Sequence, residues 1–213
     1  MHTYTQDAEI RYTINGTEPD HASMLYSNPI TLFNSTTLKI KAIKKGMEDS
    51  FTEEVSFLKL PYKRFITYKY PYSHLYTAGG SNGLIDGLHG EPNVFGGWQG
   101  FFGDDFEVVI DLGQVRSFSK IRATFLQQYP SWIWLPSEVT YSVSDDGHDY
   151  NQVYKEKNTI ALDAPDSFIK GFNAELPETA ARYVKVSAKN IAVCPSWHPG
   201  AGEKAWIFVD EIT

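Results

Sequence analysis

The sequence predicts an all-β chain, read as two sandwiches in series. Three observations carry this reading. Apolar and polar residues alternate in short segments, as half-buried strands require. No segment keeps a helical period over about twelve residues. Turn dipeptides separate the segments, among them Asn15-Gly16, Lys45-Gly46, Asp86-Gly87 and Asp146-Gly147. At 213 residues, 15% of them Phe, Trp or Tyr, the chain can bury one large core or two small ones.

Residues 1–60 form the first expected domain. Ile10, Tyr12 and Ile14 fall on one face before the Asn15-Gly16 turn, and Thr17-Glu18-Pro19 then breaks the chain. A second turn cluster follows at Tyr26 to Pro29. Residues 37–43 alternate again, with Leu38, Ile40 and Ala42 inward and Lys39 and Lys41 outward. Lys45-Gly46 turns the chain into a last strand at residues 54–60. Pro61 marks the junction, and the basic-aromatic run at 62–72 supplies a first strand and an inter-domain contact. The junction has no Gly/Ser tether, so a fixed pairing of the domains is expected.

Residues 61–213 form the second domain, organised around residues 79–113. The six glycines between Gly90 and Gly113 rule out a helix and leave a loop whose backbone can wrap closely. Phe106, Val108, Ile110 and Leu112 then alternate in a strand that is expected to end at Gly113. Further strands follow at Ile121, Ala123 and Phe125, at Val139, Tyr141 and Val143, and at 150–154. Two more are read at 168–176 and 181–188, and the last runs from about Trp206 to Ile212.

Two family resemblances rest on these segments. Ile10-Arg-Tyr-Thr-Ile-Asn-Gly16, Glu18-Pro19, Tyr26, Pro29-Ile30 and the strand at 39–42 resemble the fibronectin-like domain at the C-terminus of chitobiases and β-hexosaminidases. Members carry one or two strands before this string, so the domain is read as a partial immunoglobulin/fibronectin-like sandwich. The Asp86-Gly87 turn, Trp98, the Asp111-Leu-Gly113 strand end, SFSKIRATF, the strand closing at Asp146-Gly147, ARYVKVSAK and AWIFVDEIT resemble, in order, the discoidin-like jelly-roll β-sandwich. Coagulation-factor C-type domains and many bacterial carbohydrate-binding modules share that fold. Together the resemblances imply the C-terminal ancillary region of a bacterial β-N-acetylhexosaminidase of glycoside hydrolase family 20. They imply a monomer beside the catalytic domain of its parent chain, in an enzyme that is periplasmic, surface-attached or secreted.

Composition narrows the function classes. A net charge of −7 argues against a sequence-independent nucleic-acid binder, which needs a basic field. No apolar run reaches the length of a membrane span and no signal-peptide pattern opens the chain. MHTYTQDAEI enters a patterned strand almost at once, so the chain reads as a piece excised from a longer one. Cys194 is the only cysteine, which excludes an internal disulfide and reads as a small buried hydrophobe.

Three constellations could carry chemistry. Asp210-Glu211 matches the adjacent Asp-Glu pair of family 20 hexosaminidases, but neighbouring residues of a strand point to opposite faces, and no catalytic residue is assigned. The discoidin resemblance instead implies a structural calcium ion held by Asp86 and Glu211. A hard cation takes six to eight oxygens, which a glycine-rich loop can supply as carbonyls. Here the sequence departs from the family, with Leu88-His89-Gly90-Glu91 where a Thr normally follows the Asp-Gly. The other reading is an Asp86 side chain capping its own turn. The third constellation is aromatic: Trp132, Trp197 and His198 lie in polar-aromatic loops and are the candidate glycan ligands. Sugar CH faces stack on Trp, while hydroxyls need polar partners. Trp98 and Trp206 are expected in the core. The competing expectation is a structural module that packs on the catalytic barrel and binds no sugar.

Overall fold

The computed structural model describes residues 1–57, 59–60 and 62–213. The junction expected at Pro61, and Leu58 of the expected fourth strand, lie outside these residues. The chain divides into two compact units, Met1–Pro61 and Tyr62–Thr213. Nearly all regular structure is strand, with 3% helix confined to 3-10 turns. Among the described residues no helix is long and apolar enough to cross a membrane.

Among its described residues the first unit forms one antiparallel sheet of four strands, β1 (Glu9–Thr13), β2 (Met24–Leu25), β3 (Thr36–Ile43) and β4 (Glu53–Phe57), in the order β2-β1-β3-β4. Its register sets Tyr12 opposite Ile40, Ile10 opposite Ala42 and Leu38 opposite Val55, so these apolar residues share a face. Ile14 does not join them: β1 ends at Thr13, and Ile14 is exposed because its chain has already entered the turn at Gly16. On the opposite face Lys39 bonds Glu18 at 2.6 Å and Arg11 pairs with Glu9.

The second unit contains β5 (Phe65–Tyr68), β6 (Gln99–Phe102), β7 (Phe106–Gln127), β8 (Glu138–Ser144), β9 (Asn151–Lys157), β10 (Phe168–Lys189) and β11 (Trp206–Ile212). Hydrogen bonds run in the order β6-β11-β7-β10-β8-β9, with β5 added to β7. Two strands of 22 residues, β7 and β10, organise the sandwich. The first part of β7 pairs with β5 and with the second part of β10, which in turn pairs with β8. The later part of β7 pairs with the first part of β10 and with β11. Each long strand therefore serves both layers, and register shifts near Glu175–Thr179 and Ala181–Tyr183 mark the fold-over.

This corrects one expectation. Gly113 (φ 79) does not end a strand; β7 passes through it and continues to Gln127. Glycine adopts that positive φ at no steric cost, so it lets the strand bend there. The expected alternation otherwise appears as burial. Phe106, Val108, Ile110 and Leu112 are buried, as are Ile121, Ala123 and Phe125, and Val139, Tyr141 and Val143. The Tyr141 hydroxyl, within this core, donates to Phe172 O at 2.6 Å and accepts from Ala123 N at 2.9 Å.

Candidate functional site

Two loops of the second unit meet at one end of the sandwich. After β7, residues Tyr129–Ser131 form a 3-10 turn, and Trp132 follows with a left-handed backbone (φ 61). Few bulky residues adopt that conformation, and such outliers persist where surrounding structure holds them. Here backbone bonds hold it: Trp132 N donates to Tyr129 O at 2.9 Å and Trp206 N donates to Trp132 O at 2.8 Å. The loop is thereby laced to the first residue of β11.

The second loop, residues 190–205, closes on itself through Cys194 N to Glu203 O at 2.8 Å and Gly202 N to Cys194 O at 3.1 Å. At its centre His198 is only 4% exposed. Gly200 N donates to His198 Nδ1 at 3.0 Å, which leaves the proton on Nε2 to be donated to Tyr129 O at 2.9 Å. Four aromatic rings stand edge-on around this imidazole: Trp134 at 5.1 Å, Trp132 at 5.2 Å, Trp197 at 5.8 Å and Tyr129 at 6.3 Å. Gly200 belongs to the same packing, because a Cβ there would collide with the Trp132 indole.

The three expected glycan ligands are thus brought together, but not in the same role. Trp197 is 49% exposed and Trp132 37% exposed. His198 is corrected: with both ring nitrogens bonded to backbone it has no polar atom left for a ligand, and it positions the tryptophans instead. Trp98 is buried and donates its indole N–H to Glu91 O at 2.9 Å, while Trp206 is half-buried against Phe102 and Tyr76. Cys194 is buried beside Trp134 and Ala205, and burial pushes its thiol up, away from the reactive thiolate. Sequence reasoning missed the groove of about 430 Å³ between residues 75–78 and 94–98, where Phe95 stands exposed; its only signal was Phe95 beside Gly96-Gly97.

The acidic pair of β11 is built into the structure. Asp210 accepts from the Thr124 hydroxyl, from Gly90 N at 2.8 Å and from Glu211 N at 2.6 Å. Burial raises its carboxyl above the ordinary carboxylate range. Glu211 is also buried. Its Oε2 accepts from Gly87 N at 3.1 Å, and burial pushes its carboxyl up to about 7 despite Arg64 nearby.

The residues do not fit the calcium ion that the resemblance implied. Asp86 Oδ1 accepts from Leu88 N at 2.9 Å, so its side chain caps its own turn. The carbonyls of Thr77, Ala78 and Gly80 converge on the Gln99 amide, at 3.4, 3.3 and 2.6 Å. The carbonyl of Ile85 accepts from Arg64 Nη2 at 2.8 Å. Among the described residues Glu211 Oε1 finds no hydrogen-bond partner, and the same guanidinium faces it at 3.6 Å. Among the described residues no group of three or more His, Cys, Asp or Glu side chains could hold a metal.

The family model described as the F5/8 type C domain matches residues 71–206, more than half of the chain. The chain belongs to the F5/8 type C domain family. Residues 1–54, ahead of that domain, match the chitobiase/β-hexosaminidase C-terminal domain. No curated protein matches the sequence. Among solved structures the chain is similar to CBM32-1 from a family 31 glycoside hydrolase from Clostridium perfringens. That pair has 18% identity and a TM-score of 0.45, over 71% of this chain and 93% of the other. A second is CpGH89CBM32-5 from the same organism, in complex with GalNAc-β-1,3-galactose. It has 17% identity and a TM-score of 0.41, over 70% of this chain and 91% of the other. A third is the CBM32 of AlyQ in complex with 4,5-unsaturated mannuronic acid. It has 14% identity and a TM-score of 0.42, over 71% of this chain and 96% of the other.

Proposed function

We propose that the chain is the non-catalytic C-terminal region of a β-N-acetylhexosaminidase and holds its parent enzyme on glycans that contain N-acetylhexosamine or galactose. One observation carries the binding role: Trp132 and Trp197 stand half-exposed on two loops that a buried His198 locks together. Aromatic faces fixed before the ligand arrives stack on the CH faces of a pyranose without an ordering cost at binding. The match of residues 1–54 supports the hexosaminidase parent. Its acidic pair lies buried among backbone donors, which supports a structural rather than a catalytic use of Asp210 and Glu211. In this reading the region acts as a monomer next to the parent's catalytic domain, in a periplasmic, surface-attached or secreted enzyme.

A glycan array followed by calorimetry on the full chain tests the proposal. Binding is expected to be weak, because a shallow site with two rings buries little area. Trp197→Ala should abolish it and leave the melting temperature nearly unchanged. A chain that binds no glycan, or a variant that unfolds, would favour the other reading, a structural module that packs on the catalytic barrel.

A further inference from the structure

We infer that Arg64 is the built-in cation of the F5/8 unit, so that the Asp86 turn and the final strand are held together without a metal ion. Arg64 lies one residue before β5, and its side chain is 14% exposed against 0% for that of Glu211. Its guanidinium reaches two separate parts of the chain. Nη2 donates to Ile85 O at 2.8 Å and faces Glu211 Oε1 at 3.6 Å, and Nη1 donates to Ile212 O at 3.4 Å. The start of β5, the turn at 85–87 and the end of β11 are therefore fastened at one charged group. A divalent ion bound between Asp86 and Glu211 would join two of the same three segments.

Many of the oxygens around this turn already accept from N–H donors. Thr77 O accepts from Gly80 N at 2.8 Å, Gly80 O from Gly83 N at 3.1 Å, Asn82 O from Ile85 N at 2.9 Å and Leu84 O from Ile212 N at 2.8 Å. Gln99 adds its amide to the first two carbonyls and to that of Ala78. Glu211 Oε2 is taken by Gly87 N and Asp86 Oδ1 by Leu88 N. The buried atoms left without a hydrogen bond include Glu211 Oε1 and Arg64 Nε, which belong to opposite charges of one contact. A hard cation needs six to eight oxygens. It would also have to share the carboxylate with a guanidinium that never gives up its proton.

The test is the melting temperature of the full chain at about pH 8, with a chelator and with added calcium chloride, together with elemental analysis of the purified protein. The wild type is expected to melt at the same temperature in both, with no bound calcium. Arg64→Ala should melt lower by on the order of 5 °C, and Arg64→Lys should recover part of that loss. A wild-type melt that falls with chelator and is restored by calcium would overturn the inference, as would stoichiometric calcium in the protein. So would an Arg64→Ala variant as stable as wild type. If Arg64→Ala does not fold, the wild-type arm and Arg64→Lys still decide.

Discussion

At the scale of single residues, two side chains make predictions that their positions alone dictate. Gly200 leaves space for the Trp132 indole, and a methyl group there would collide with it. Gly200→Ala should therefore push Trp132 out of place at a cost of about 1–3 kcal/mol. Tryptophan fluorescence should report a more exposed indole, and glycan binding should weaken. Glu211 makes a prediction about pH. Its carboxyl sits at about 7 in the folded chain against an ordinary value of 4.5, chiefly because it is buried. A raised acid favours the folded state while protonated, so this contribution is full below about 4.5 and is lost as pH rises through about 7. The melting temperature should fall over that window in wild type, and Glu211→Gln should flatten the fall. A melt that rises from pH 4.5 to 7 in wild type, and does so equally in the variant, would refute the assignment.

At the scale of elements, the sandwich depends on two strands that bend from one layer into the other, and Tyr141 ties the bend together. Its hydroxyl serves Phe172 O and Ala123 N in the later layer, while its own strand, β8, pairs in the first. Tyr141→Phe removes a hydroxyl that bonds two backbone groups in the core and should cost about 1 kcal/mol. A urea denaturation midpoint unchanged by the substitution would show that the bond contributes nothing. The same elements show what the sequence could reveal. Alternation at Phe106 to Leu112 and at Val139 to Val143 was readable, because burial on one face follows the two-residue period of a strand. The continuation of β7 through Gly113 was not, since a glycine at positive φ looks the same in sequence whether it ends a strand or bends it. β6 was also hidden: Gln99-Gly-Phe-Phe102 has only four residues, and burial of the first three in succession shows no two-residue period. In the candidate site, the two tryptophan loops were legible from composition. The burial of His198 was not, because its backbone partner Tyr129 lies 69 residues away in the chain. Arg64 escaped notice for the same reason, its carbonyl acceptors being 21 and 148 residues distant.

At the scale of the whole molecule, the F5/8 unit separates its two jobs by distance. One end carries Trp132, Trp197 and the first residue of β11; the other carries Arg64, Ile212 and a small cavity of about 80 Å³ that Tyr62 and Thr213 both line. From Trp206 to Ile212 the final strand covers roughly 20 Å. A change at the tryptophan loops therefore need not disturb the charged fastening, and the pH and binding experiments should report on independent regions.

The meeting of Tyr62 and Thr213 at one cavity has a practical consequence for engineering. A domain whose entry and exit points lie side by side can be spliced into an exposed loop of an unrelated host without prising that loop apart. Residues 62–213 are thus a natural cassette. Grafted in this way, the cassette would keep Trp132 and Trp197 at the end of the sandwich away from the graft.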